Sequence, residues 1–153
     1  MQKIDNQKNF NMKNNYRYYI GIDTGTNTGF AVWDLIDKQF VAIKTYKIDE
    51  AMEHVLLLHN IIGLSKIFVR FEDARLRKWF GKAGREQLQG AGSIKRDCVI
   101  WEDFLTRKGI AFEAVAPKNN RTKLTAEAFK KITGYEGKTS EHARDAAMLV
   151  FNS

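Results

Sequence analysis

Residues 18–23 read Tyr18-Tyr19-Ile20-Gly21-Ile22-Asp23, and Thr24-Gly25-Thr26-Asn27-Thr28-Gly29 then opens into a second apolar run, Phe30-Ala31-Val32. An aliphatic and aromatic run of this length predicts a buried strand. The acid at its tip is costly, because a carboxylate near a core loses several kcal/mol or takes up a proton unless something compensates it. A metal ion or a phosphate-bearing ligand would do so. The Gly/Thr turn after it has two readings, a plain hairpin connection or a cradle of backbone N–H groups for a phosphate.

Outward from this stretch, the apolar pattern predicts three strands in quick succession, Tyr18–Asp23, Gly29–Asp34 and Phe40–Tyr46. The connections Thr24–Thr28 and Leu35–Gln39 are short enough for an antiparallel meander. Asp49 is placed to cap a helix running to about Ile62, with Met52, Val55, Leu56 and His59 at helical spacing and Gly63 as stop. Ile67–Phe71 is a fourth strand ending at Glu72. A basic connection, Ala74–Lys82, leads to a long helix over Arg85–Lys108, which Gly90 and Gly92 weaken locally. Ile110–Val115 is a fifth strand, and helices follow at Thr125–Thr133 and Ser140–Phe151. Three strands followed by alternating helix and strand predict an α/β domain with a five-stranded mixed sheet flanked by helices. Such sheets carry their sites at strand ends, where Asp23 and Glu72 fall.

The 153 residues suit one domain over 16–153 behind a polar, Asn- and Lys-rich tail over 1–15 that has no signal-peptide pattern. The single cysteine, Cys98, excludes an internal disulfide, and with three histidines it cannot build a zinc ribbon. That cysteine usage fits a reducing cytoplasm, and no apolar stretch reaches membrane-spanning length. The net charge of +7 favours a polyanionic partner. That charge is concentrated: residues 70–96 hold eight Lys/Arg against three acids, and 117–138 hold six against two. Arg75, Arg77, Lys78, Lys82, Lys118, Arg121 and Lys123 are thus candidate phosphate contacts on DNA. Trp79 and Phe80, bulky aromatics inside the first basic loop, could stack on an unpaired base or simply pack on the domain.

Alone, Glu72 reads as a surface acid paired with Arg70, Arg75 or Arg77. Asp73 would face the opposite side of its strand. His142 and Asp145, spaced i, i+3, project from one side of the last helix, where Ala143, Ala146 and Ala147 permit close packing on a sheet. Two strand-end acids and this pair can converge on one point, a donor set suited to divalent cations.

In order and spacing, Ile20-Gly21-Ile22-Asp23-Thr24-Gly25, Thr28-Gly29-Phe30-Ala31-Val32, Glu72 after a strand, and His142-Ala143-Arg144-Asp145-Ala146-Ala147 resemble the RuvC family of Holliday junction resolvases. The likeness runs from about Tyr18 to Phe151. It implies a ribonuclease-H-like fold and a metal site of Asp23, Glu72, His142 and Asp145 holding two Mg²⁺ or Mn²⁺ ions. The family more often has an aspartate where His142 stands, and the nitrogen donor would favour Mn²⁺. Lys118 or Lys123 would represent a lysine-bearing segment before the last helix, and Trp79 or Phe80 a junction-wedging aromatic. The resemblance further implies a homodimeric endodeoxyribonuclease that cuts four-way junctions and leaves 5′ phosphates. Val99, Ile100, Phe104 and Leu105 of the long helix are the candidate dimer surface unless they are core. Small size and tail composition suit a phage or prophage member, acting in a bacterial or phage-infected cell. Two rivals stand beside this reading. One is a related nuclease acting on flaps, forks or RNA, or a silent nucleic-acid-binding module. The other is an actin/hexokinase-type phosphotransferase, which would need a second such domain and a second phosphate loop.

Overall fold

Tyr18–Asp23 forms the central strand of the sheet, because its alternate side chains are buried on both faces. Ile20 and Ile22 point into one layer of helices, while Gly21 faces the other. The computed structural model describes residues 15–63, 66–76, 85–117 and 123–153. Apart from Asn15, the expected tail lies outside these residues, as do Arg77, Lys78, Trp79, Phe80, Lys82, Lys118 and Arg121. The elements in chain order are β1 (Tyr18–Asp23), β2 (Asn27–Asp34), β3 (Gln39–Lys47), α1 (Ile48–Ile62), β4 (Ile67–Glu72), α2 (Arg85–Lys108), β5 (Ala111–Val115), α3 (Ala126–Thr133) and α4 (Glu141–Met148). A short 3₁₀ turn, Ala74–Leu76, follows β4.

The sheet is α/β and mixed, with strand order β3-β2-β1-β4-β5. β1, β2 and β3 form the antiparallel meander, whereas β4 pairs parallel with β1 and β5 parallel with β4. Parallel pairing requires crossovers, which α1 and α2 provide. The register sets the site. Asp23 stands opposite Gly29 on β2, and Ile22 opposite Phe71 on β4, so Asp23 and Glu72 are the next residues along two neighbouring parallel strands. Strands so paired lie about 4.8 Å apart.

Two cores sandwich the sheet. Ile20, Ile22, Phe30, Val69 and Phe71 pack with Ala51 and Val55 of α1 and with Cys98, Trp101, Phe104 and Leu105 of α2. On the other face Ala31, Trp33 and Ile43 meet Phe129 of α3 and Ala143, Ala146, Ala147 and Val150. The proposed dimer surface on α2 therefore divides. Phe104 and Leu105 are core because they share the sheet-facing stripe of Cys98 and Trp101, while Val99 and Ile100 are exposed. Among the described residues, no helix is long and apolar enough to cross a membrane.

Several boundaries differ from expectation by one or more residues. β2 starts at Asn27, because its pairing with β3 continues to the Asn27–Lys47 pair; the turn after β1 is correspondingly shorter. α1 is capped at Lys47, since β3 runs into it without a loop and the Lys47 N–H donates to the Glu50 carboxylate at 3.0 Å. Asp49 sits in the first turn instead, where its charge suits the helix dipole. α4 stops at Met148, and Asn152 adopts a left-handed φ of 56° in the turn that follows.

Candidate active site

α4 rests directly on backbone. A Cβ at Gly29 would lie 2.5 Å from the His142 carbonyl carbon and closer still to its oxygen; one at Gly21 would lie 3.0 Å from the Ala146 carbonyl carbon. Gly21 and Gly29, lacking side chains, and the small alanines of α4 let the helix backbone lie directly on the sheet. Ser140 caps it, accepting the Ala143 N–H at 3.1 Å, and its hydroxyl meets Thr45 of β3 at 2.5 Å. The first turn of α4 is thereby fixed above the end of β1.

That placement joins the two halves of the expected site. His142 Nδ1 and Asp23 Oδ2 share a hydrogen bond of 2.9 Å, 119 residues apart in sequence. With the ring N–H donating from Nδ1, Nε2 carries the free lone pair. Asp145, one turn on, is half-buried, and its Oδ1 is enclosed with no hydrogen-bond partner. Across from it, Glu72 lines a cleft of about 400 Å³ together with Asp145, Arg70, Glu113, Val115, Ala116, Met148 and Leu149. Asp23 thus meets His142, and Glu72 faces the same opening as Asp145. Among the described residues no three His, Cys, Asp or Glu side chains already form an ion cage.

The carboxylates are held at an electrostatic disadvantage. Burial pushes the Asp23 pKa up against the pull of His142, with Glu141 adding to the rise and Lys123 opposing it. Asp145 is raised to about 6, chiefly by burial, then by repulsion from Asp23 and Glu141; His142 and Lys123 offset part of this. Of the candidate DNA contacts, Lys123 consequently lies within electrostatic reach of the acids, and its Nζ is 3.4 Å from Glu141. Arg144 holds Lys123's segment to α4, donating to the carbonyls of Leu124 and Thr139 at 2.8 Å each. Arg75 is engaged differently. It binds Asp73, which is buried, at 2.6 Å and also pairs with Glu102, so a phosphate would compete with two carboxylates for it. Arg70, another partner suggested for Glu72, pairs with Glu113 at 3.0 Å.

The turn after β1 spends its hydroxyls inward. Thr28 is fully buried and donates to the Gly25 carbonyl at 2.8 Å, while Thr24 donates to the Glu72 carbonyl at 3.2 Å. The buried Cys98 thiol lies 3.6 Å from the Thr24 hydroxyl. These contacts tie the ends of β1 and β4 together and favour a bracing hairpin over a phosphate cradle. Glu141 is a contributor the sequence analysis does not name; Arg70 enters there only as an ion-pair partner for Glu72, and Gly21 and Gly29 only as strand and turn residues. Glu141 adjoins His142 and Arg70 is two residues before Glu72 on the same face, so their spacing was a usable signal. The glycines became informative only once α4 was seen above them. No protein-family model matches the chain, and no curated protein matches it in sequence.

The raised Asp145 pKa carries a stability consequence. Its protonated form is favoured in the folded chain relative to an unfolded aspartate of about 4. The associated stability is present below about pH 4 and lost as pH rises through about 6. Asp145→Asn is therefore expected to raise Tm at pH 8 by about 3–6 °C, with the gain shrinking toward zero by pH 4. Thermal melts of both proteins across this range check it; a gain that does not depend on pH would contradict the assignment.

Proposed function

We propose that this protein is a divalent-metal-dependent, structure-selective DNA endonuclease of ribonuclease-H-like fold that resolves four-way junctions as a two-fold homodimer. The observation that supports it most is the convergence of Asp23, at the end of the central strand, with His142 of α4, beside a cleft shared by Glu72 and Asp145. The donor set fits a divalent cation. Asp145 has an enclosed oxygen without a partner, and both aspartates are disfavoured as anions until positive charge arrives.

Asp23, Glu72 and Asp145 would hold Mg²⁺ or Mn²⁺ through oxygen and His142 through Nε2. When bound, the ions supply Lewis acidity toward a scissile phosphate and toward the water that attacks it. Asp23 orients His142 through the Nδ1 hydrogen bond and so directs Nε2. Lys123, beside the acids, offsets the charge of an arriving phosphate. Thr24 and Cys98, tied to the Glu72 backbone, keep the two acid-bearing strand ends in register. The product carries a 5′ phosphate, and Arg77, Lys78, Lys82, Lys118 and Arg121 would hold the DNA arms.

One assay tests this reading: incubation of the full chain with a four-way junction, a flap, a fork and linear duplex, each with Mn²⁺, with Mg²⁺ and with chelator. Paired, symmetric nicks in the four-way junction that require a divalent ion are expected. Preference for flaps or forks would move the substrate to a sister nuclease, and no cleavage of any branched DNA would overturn the proposal.

A further inference from the structure

Arg70 lies two residues before Glu72 on the same face of β4, and both line the cleft. Its guanidinium touches three other parts of the chain. Nε donates to Glu113 of β5 at 3.0 Å. Nη1 donates to the Ser153 hydroxyl at 3.0 Å and to the Leu149 carbonyl at 3.4 Å, at the C-terminal end of α4. The same group lies 5.0 Å from the Tyr19 ring centre on β1. α4 packs on β2 and β1, on the near side of the sheet, whereas the cleft separates Asp145, Met148 and Leu149 from Glu113 and Val115 of β5. A planar fork meeting two oxygens of the turn after α4 and a carboxylate on β5 spans that gap with fixed geometry, which a flexible ammonium cannot reproduce. The Leu149 carbonyl, at the helix C-cap, is also where a cation is electrostatically favoured.

We propose that Arg70 is a positioning residue: by bracing β4 and β5 against the end of α4, it sets the width of the cleft and hence the spacing at which Glu72 and Asp145 can share a divalent cation. The role rests on the nuclease reading above. Arg70 need not touch substrate; it acts through the two acids. Outer partners of this kind typically change metal affinity by about 10–100-fold.

The test is Mn²⁺ titration of the full chain, followed by thermal shift and by calorimetry, with the Mn²⁺ needed for half-maximal junction cleavage as a parallel measure. Arg70→Ala is expected to need about tenfold more Mn²⁺ in all three, and Arg70→Lys an intermediate amount. Arg17→Ala is the control. It removes a comparable ion pair, to Asp34 and Asp37, at the opposite end of β1, and should lower Tm while leaving the titration unchanged. A titration of Arg70→Ala that superimposes on the wild type overturns the proposal, as does an equal shift in Arg17→Ala, which would indicate general loosening. If Arg70→Ala does not fold, Arg70→Lys and Glu113→Gln carry the test: a shift in the same direction supports it and wild-type titrations overturn it. A wild-type chain that shows no Mn²⁺ response removes the nuclease reading and Arg70's role together, an outcome separate from failure of the Arg70 variants alone.

Discussion

Asp23→Asn is expected to cut four-way junctions at least about 10³-fold more slowly than the wild type while binding them as well or better. The amide has nearly the volume of the carboxylate and still accepts from the His142 ring N–H, so the 2.9 Å contact and the α4 seating survive. Burial already disfavours the Asp23 anion, so its removal does not weaken the fold. What disappears is the charge that would hold the cation and that repels incoming phosphate. Loss of one charged ligand removes several kcal/mol of transition-state stabilisation, and each 1.36 kcal/mol is tenfold in rate. Gel-shift binding together with single-turnover cleavage checks both halves, and wild-type-like cutting would sink the assignment of Asp23.

Gly29→Ala is expected to abolish cleavage for a different reason and to lower stability as well. The added methyl meets the carbonyl group of His142, and it also stands 3.0 Å from the Asp23 Cβ. All of these atoms are backbone or backbone-proximal, so no side chain can swing aside. α4 would have to withdraw by more than about 1 Å to restore ordinary contact distances. That movement breaks the His142–Asp23 bond and opens Ala143, Ala146 and Ala147 away from Ala31 and Trp33. Overpacking of this sort costs about 3 kcal/mol. Denaturant melts and the junction assay measure the two effects, and a stable, active Gly29→Ala would show that the helix does not sit where it is described. Gly21→Ala should behave similarly, through Ala146.

The sheet was legible because each strand announces itself by alternation or by a bounded apolar run, and because β1–β3 are joined by turns too short for anything but a meander. Cap positions were less legible. The choice between Lys47 and Asp49 depends on β3 running unbroken into α1, a tertiary fact that capping preferences do not contain. The meeting of Asp23 and His142 was expected from the combined pattern, since Ala143, Ala146 and Ala147 signalled a helix made to approach closely. Arg75 was harder to read: its sequence neighbours are basic, yet its position beside the buried Asp73 and the α2 residue Glu102 gives it an internal role. The same holds for α2, where Phe104 and Leu105 share the buried face of Trp101 while Val99 and Ile100, only a few residues away, are exposed.

Strand β1 is hydrogen-bonded on both edges, to β2 on one side and to β4 on the other. Its amides can exchange with solvent only when the sheet itself comes apart. The carboxylate of Asp23 is therefore anchored to a strand held on both sides, and Glu72 ends β4, which is likewise held on both sides, by β1 and β5. Both acid-bearing strand ends therefore share the lifetime of the sheet, and hydrogen exchange is expected to place the amides of β1 and β4 among the slowest of the described residues.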